Sequence, residues 1–62
     1  MKNNLKKYRL EAGLTQKQVA EKLGMQCEDR ISHWERGQAM PSVGNLIKLS
    51  TVFKISIDRL IN

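Results

Sequence analysis

Four polar side chains with hydrogen-bonding groups lie within one short stretch of the chain: Glu28, Asp29, Arg30 and His33. Carboxylates accept hydrogen bonds, a guanidinium donates them in a planar fork, and an imidazole can do either. On a helical wheel these residues lie opposite Ile31 and Trp34, so a helix here would bury the apolar pair and expose the polar groups. The donors among these groups complement phosphates and acceptors on base edges, whereas phosphate repels the carboxylates, which can accept from cytosine N4.

The chain also carries an excess of positive charge. Its 62 residues include 11 Lys and Arg against 6 Asp and Glu, which gives a formal charge of +5 and an isoelectric point near 9.8. A small basic domain binds polyanions readily, because the phosphates that it neutralises release their condensed counterions. The alternative is that the charge serves solubility alone.

The composition argues against several classes of protein. Cys27 is the single cysteine, so no disulfide can close within the chain, and a lone thiol fits a reducing compartment. We find neither an apolar run near the roughly 20 residues that span a membrane nor a secretory signal, so a cytoplasmic location is expected. One histidine and one cysteine make neither a catalytic triad nor a metal cluster. We therefore expect a non-enzymatic domain without cofactor, metal or small-molecule ligand.

Helical periodicity predicts the elements that would position the polar cluster. Five helices are predicted, over residues 2–12, 16–23, 28–36, 43–53 and 57–61. Gly13, Gly24 and Gly37 end the first three helices, because glycine readily adopts the left-handed backbone of a helix C-terminus. Thr15 and Ser42 are the expected N-caps of the second and fourth helices. Short loops between these helices predict a compact all-α domain over residues 1–62.

Apolar positions indicate which face of each helix is buried. The residues expected to face the core are Leu5, Tyr8, Ala12, Val19, Ala20, Leu23, Ile31, Trp34, Leu46, Ile47, Leu49 and Phe53. Ile57, Leu60 and Ile61 in the last helix, together with Val43, form a candidate dimer surface. Some of these four residues must fill the core of so short a chain.

Motifs at helix ends and turns carry a family resemblance from about Leu5 to Ile61. The matching residues are Leu5, Arg9, Gly13-Leu14-Thr15-Gln16, Val19-Ala20, Leu23-Gly24, Ile31-Ser32, Glu35-Arg36-Gly37, Pro41-Ser42, Leu46, Leu49 and Ile55-Ser56. Together they resemble the XRE/Cro family, the lambda-repressor-like helix-turn-helix proteins. The resemblance implies that the third helix lies in the major groove of double-stranded DNA.

By position, the resemblance implies base contacts from Glu28, Asp29 and His33, with Arg30 beside them. A bidentate contact of Arg30 with guanine O6 and N7 and a contact with phosphate both remain open. The two acids could accept from cytosine N4, or they could only favour the helix dipole, by roughly 0.3–1 kcal/mol. His33 could donate to guanine or phosphate, or it could be exposed and neutral without a partner.

The resemblance also implies contacts with the DNA backbone, which set register and affinity but not sequence preference. The residues expected to make these contacts are Gln16, Lys17, Arg36, Gln38 and Asn45. In the family, the glutamine that matches Gln16 holds a phosphate and braces the third helix, and one amide can do both. For Lys17 the alternative is a solvated surface role.

Arg9 and Glu35 match a pair that forms a partly buried ion pair between the first and third helices of the family. The alternative is two exposed charges, worth less than about 1 kcal/mol. The chain departs from the family at one point, since Gly24 and Ile31 are one residue further apart than usual. The extra residue must lie in the turn before helix 3, where Cys27 could sense redox state or replace a serine cap.

The sequence therefore predicts a sequence-specific DNA-binding transcriptional regulator, with repression as the expected action. One helix-turn-helix reads few base pairs, so a homodimer on a palindromic operator is expected, with half-sites about 34–36 Å apart. Two other interpretations stay open. The chain could be an antitoxin that binds a toxin protein, or an interaction module without DNA binding, which the acids Glu28 and Asp29 would favour.

Overall fold

Five short helices form the computed structural model of this chain, which describes residues 3–61. They are α1 (Leu5–Glu11), α2 (Gln16–Lys22), α3 (Asp29–Glu35), α4 (Val43–Phe53) and α5 (Ile57–Ile61). No strand occurs within residues 3–61. The all-α class is confirmed, and α4 and α5 have the predicted bounds. No helix in this part of the chain has the length and apolar character needed to cross a membrane.

The other three helices are shorter than predicted. α1 begins at Leu5, and residue 2, where its start was predicted, lies outside the described residues. α1 and α2 each end one residue before the predicted end, at Glu11 and Lys22. α3 runs from Asp29 to Glu35, one residue inside each predicted end, and Glu28 and Arg36 are its cap residues. The flanking residues at these C-termini are the cap residues.

All five helices contribute to one apolar core. Its buried members are Leu5, Val19, Ala20, Leu23, Ile31, Trp34, Leu49 and Leu60. Tyr8, Phe53 and Ile61 pack against this core while partly exposed. Two expected core residues are exposed, because Ala12 follows the end of α1 and Ile47 lies on the outer face of α4. Leu46, also expected in the core, is only half-buried.

Side-chain caps fix where α2 and α4 begin. The Thr15 hydroxyl accepts from the Gln18 backbone N–H at 3.0 Å, and the Gln18 side chain accepts from the Thr15 N–H at 2.8 Å. This reciprocal pair is a capping box. The Ser42 hydroxyl accepts from the Asn45 N–H at 3.3 Å. Both predicted caps are therefore confirmed.

Three helices end on glycine with left-handed backbone. Gly13, Gly24 and Gly37 have φ values of 72°, 77° and 76°. In each case the next residue donates its N–H back to a carbonyl in the last turn of the helix, at 2.9–3.1 Å. This C-terminal motif satisfies carbonyls that the helix itself leaves unpaired.

α4 ends with the same hydrogen bond but without a glycine. The Ile55 N–H donates to the Ser50 carbonyl at 3.1 Å, and Lys54 takes the left-handed position with φ 58°. A side chain in this conformation costs roughly 1–2 kcal/mol relative to right-handed backbone. Lys54 therefore marks the least favourable helix end among the described residues.

Replacing Lys54 with glycine should stabilise the domain. We expect Lys54→Gly to raise the free energy of unfolding by about 0.5–1 kcal/mol, since relief of the strain exceeds the extra entropy of glycine in the unfolded chain. The midpoint of thermal unfolding should rise by roughly 4 °C. Gly24→Ala is the matched control. Its new Cβ would meet nothing within 4 Å, so a loss of about 1 kcal/mol would come from the backbone alone. A lower midpoint for Lys54→Gly would contradict the left-handed assignment.

Candidate nucleic-acid interface

α3 exposes the polar cluster and buries its apolar face. Ile31 and Trp34 are in the core, whereas Glu28, Asp29, Arg30 and His33 are all exposed. Glu28 is the N-cap of α3, but its side chain makes no capping hydrogen bond. Cys27 is exposed and is not the cap residue, so the predicted role of a serine-like cap is wrong. α3 therefore begins without a side-chain cap.

A groove of about 400 Å³ lies between α3 and the start of α4. Its polar lining comes from Arg30, His33, Ser42 and Asn45, and Met40 from the intervening loop is part of its wall. The fold thus brings two of the predicted base-reading residues together with Asn45, a predicted backbone contact. Gln38 is exposed in the same loop, but it does not line this groove.

A second groove, of about 280 Å³, lies on the other side of α3. It is lined by Lys6 and Arg9 of α1, Gln16 of α2, and Ser32, Glu35 and Arg36 at the end of α3. Lys6 and Ser32 were not among the predicted site residues. The spacing of Ser32 and Arg36, four positions apart on a helix, was the signal that could have placed Ser32 beside a predicted contact.

The turn before α3 forms a third, smaller concavity of about 260 Å³. Lys17 from α2 lines it together with Gln26, Glu28 and Asp29. The structure therefore places this cation near the two acids at the start of α3. Their negative charge is partly offset by a neighbouring positive charge, even though no ion pair within 4.0 Å joins them.

An ion pair in the second groove joins α1 to α3. The Arg9 Nε donates to Glu35 Oε2 at 2.6 Å, and its Nη2 donates to Oε1 at 3.2 Å. The side chains of Arg9 and Glu35 are only 10% and 5% exposed. Arg9 Nη1 also donates to the Leu14 carbonyl at 2.9 Å. The bidentate geometry and the third hydrogen bond satisfy charges that would be costly to bury alone.

Gln16 extends this network to α2. Its Nε2 donates to Glu35 Oε1 at 3.0 Å, so one carboxylate receives hydrogen bonds from two helices. At the same end of α3, the Asn3 side chain donates to the carbonyl of the preceding residue, Trp34, at 2.6 Å. α3 is therefore held from its buried face and its C-terminal end, while its N-terminal half stays open to solvent.

The charges that surround α3 are mainly positive. Four cationic side chains are exposed in the three grooves: Lys6, Lys17, Arg30 and Arg36. Two exposed acids, Glu28 and Asp29, oppose them, because Glu35 is already paired with Arg9. The grooves around α3 thus carry mostly positive charge, and the exposed acids lie only at the start of α3.

The four candidate dimer residues differ widely in exposure. Val43 is 71% exposed at the start of α4, whereas Leu60 is 1% exposed and belongs to the core. Leu60 is therefore unavailable to a partner, and that part of the prediction is wrong. Ile57 and Ile61 are partly buried, and Ile61 packs against the core.

The arrangement of α2, the turn and α3 defines a helix-turn-helix. The sequence model of the helix-turn-helix family matches residues 5–60. This chain belongs to that family, of the XRE type, which confirms the resemblance noted above. Within residues 3–61 we find no group of three or more His, Cys, Asp or Glu side chains that could hold a metal ion.

Comparisons with known proteins agree with this assignment. The HTH-type transcriptional regulator ImmR of Bacillus subtilis strain 168 is 40% identical over 57 residues, which are 92% of this chain and 44% of ImmR. The chain thus spans less than half the length of this relative. A candidate DNA-binding protein from Bacteroides fragilis has a similar fold, with a TM-score of 0.88, 30% identity, and coverage of 98% of this chain and 97% of that one. A transcriptional regulator from Listeria innocua gives a TM-score of 0.84 at 32% identity, over 98% of this chain and 60% of that one.

Proposed function

We propose that this chain is a sequence-specific DNA-binding transcriptional regulator that places α3 in the major groove. The observation that carries the proposal is the exposed N-terminal half of α3 on a helix whose other sides are fixed by the core and by the Arg9–Glu35 pair. A major groove about 12 Å wide admits one helix, and residues near the start of the helix reach deepest. Membership of the family and the names of the relatives support the same function.

The side chains suggest a division of work within this surface. Arg30 and His33 share the groove next to α4 and can donate to guanine, while Glu28 and Asp29 can accept from cytosine. The second groove supplies phosphate contacts through Lys6, Arg36 and a donor hydrogen of Gln16 that Glu35 does not use. In the same scheme, Lys17, Gln38 and Asn45 touch the backbone on either side of α3.

The size of the domain supports a homodimer. Its longest dimension is 26 Å, which is shorter than the 34–36 Å between successive major grooves on one face of DNA. One copy therefore covers one half-site. A two-fold pair of copies would read a palindromic operator, and a regulator that occupies such a site represses by excluding other proteins from it.

Selection of bound duplexes from a random DNA pool tests this proposal. We expect an enriched palindromic motif whose half-sites are spaced by one helical turn. Enrichment of no motif, with binding that is independent of sequence, would contradict specific regulation. A motif without two-fold symmetry would contradict the homodimer alone.

The salt dependence of binding distinguishes a domain that binds DNA from one that binds a protein partner. The three exposed cations assigned to phosphates, Lys6, Lys17 and Arg36, predict a slope of log K against log salt of about −2.7 per half-site, and thus a roughly 40-fold loss of affinity between 50 and 200 mM salt. Lys17→Gln should make the slope shallower by about 1. Lys22→Gln is the matched control, because Lys22 lies in a different groove, with Leu14 and Glu21. A flat response of the wild-type chain would favour a protein-interaction module.

A further inference from the structure

The loop between α3 and α4 contributes an apolar wall to the groove that contains Arg30 and His33. Ala39 and Met40 line that groove from the loop side, and both are exposed. Met40 is the larger of the two and is 42% exposed. The function proposed above uses only the polar lining of this groove, so the apolar wall has no role in it.

A hydrogen bond and a proline fix the backbone on the two sides of Met40. On the α3 side, the Gln38 N–H donates to the His33 carbonyl at 3.0 Å. On the α4 side, Pro41 is buried and Ser42 caps the helix. A proline also restricts the residue before it to extended backbone. The Met40 side chain is therefore held at one edge of the groove, while its three rotatable bonds let it adapt to a partner.

The chemistry of the apolar wall differs from that of the rest of the groove. The side chains of Ala39 and Met40 carry no charge and no hydrogen-bond donor, so they add nothing to the binding of a phosphate. They lie beside Arg30 and His33, whose donors suit the O6 and N7 acceptors of guanine. A single exposed methionine is ordinary on a protein surface. An apolar wall beside two such donors, however, is placed to contact the apolar part of a base edge.

Thymine is the base whose edge matches this wall. Among the four bases it alone presents a methyl group in the major groove, on C5, and apolar side chains pack against that methyl group. A thymine close to a guanine would thus offer a methyl group beside hydrogen-bond acceptors. Met40 beside Arg30 and His33 is the complement of that arrangement.

We propose that Met40 contacts the C5-methyl group of a thymine at the edge of the bases that Arg30 and His33 reach. The inference rests on the function proposed above and adds a requirement to the operator. Each half-site needs a thymine at one fixed position, and cytosine is disfavoured there in part because it lacks the methyl group. Removal of one buried methyl group from water contact is worth about a 4-fold change in affinity.

Removal of single methyl groups from the operator tests this inference. A duplex in which one thymine is replaced by deoxyuridine loses that methyl group and keeps every hydrogen-bonding group of the base. We expect one thymine in each half-site at which this replacement weakens binding of the wild-type chain by about 4-fold. For Met40→Ala, the same replacement should change the affinity by less than about 1.5-fold, because the partner of the methyl group has been removed.

Two controls accompany this experiment. Leu10→Ala is the matched variant, because Leu10 is 58% exposed on α1 and lies outside the groove, so it should keep the full response to deoxyuridine. Met40→Ala should leave the midpoint of thermal unfolding within about 3 °C of the wild type, since Met40 is exposed. A changed response to deoxyuridine would then come from the lost contact and not from unfolding.

Two outcomes would overturn the inference. One is a wild-type chain that binds its operator specifically but responds to deoxyuridine at no position. The other is a response that Met40→Ala retains in full, which would assign the methyl contact to another side chain. Failure of the proposed function gives a different result, because the wild-type chain would then bind no duplex specifically and both proposals would be wrong.

Discussion

Replacing Arg9 with methionine should lower the free energy of unfolding by about 3–5 kcal/mol. The Glu35 side chain is only 5% exposed, and it would keep a single hydrogen bond, from Gln16. The Leu14 carbonyl would also lose its Arg9 donor. Domains of this size have a total stability near 5 kcal/mol, so the variant should be largely unfolded at 37 °C. Urea and thermal unfolding followed by circular dichroism measure the effect.

Two further variants show whether the unpaired charge is the cause. Arg9→Met combined with Glu35→Leu should recover most of the lost stability, because no buried charge is left without a partner. Arg9→Lys should lie between the wild type and Arg9→Met, since an ammonium keeps the charge but not the planar fork. A loss below 1 kcal/mol for Arg9→Met would mean that the pair behaves as a solvated surface pair.

Replacing Arg30 with alanine should weaken binding to the selected operator by about 1–3 kcal/mol and relax the preference at one base pair. The reason is its position at the exposed start of α3, in the groove shared with His33. A guanidinium there can pair with O6 and N7 of one guanine. Competition binding to the operator and to duplexes changed at one base pair measures both effects.

Arg36 provides the comparison for Arg30. It follows the C-terminus of α3 in the second groove, where a phosphate contact is expected. Arg36→Ala should therefore weaken binding to all duplexes by a similar factor and leave the base preferences unchanged. If Arg30→Ala also weakened all sequences equally, Arg30 would be a phosphate contact and not a base-reading residue.

Helix ends with strong local signals could be predicted from the sequence. Ser42 fixes the start of α4, and Gly13 and Gly24 fix the positions where α1 and α2 give way to turns. The start of α3 was harder, because the turn after Gly24 contains no side chain that caps the helix. The end of α4 was predicted correctly, but the left-handed backbone at Lys54 has no residue-type signal.

Burial was predictable for narrow apolar faces and not for broad ones. α3 has two apolar residues, Ile31 and Trp34, and both are in the core. α4 has apolar residues around much of its circumference, so its periodicity could not show that Ile47 faces outward while Leu49 is buried. That distinction depends on tertiary packing, in which α5 lies against α4 and Leu49 joins the common core.

The residues of the candidate site could likewise be predicted only in part. The residues of α3 could be chosen from its exposed face, and a family resemblance supplied Gln16 and Arg9 as its supports. Lys6 lies in the second groove because α1 crosses near the end of α3, and this tertiary contact leaves no mark in the sequence. The hydrogen bond from Asn3 to the Trp34 carbonyl has the same origin, since 31 positions separate the two residues.

An NMR titration of the labelled chain with the selected duplex tests the central claim most directly. The account predicts that the largest changes in backbone and side-chain signals fall on residues 28–33 and on the groove residues Lys6, Gln16, Lys17, Arg36 and Asn45. Residues of α5 should change least on a single half-site. Changes centred on α5, with residues 28–33 unaffected at saturation, would contradict the assignment of α3 as the helix that reads DNA.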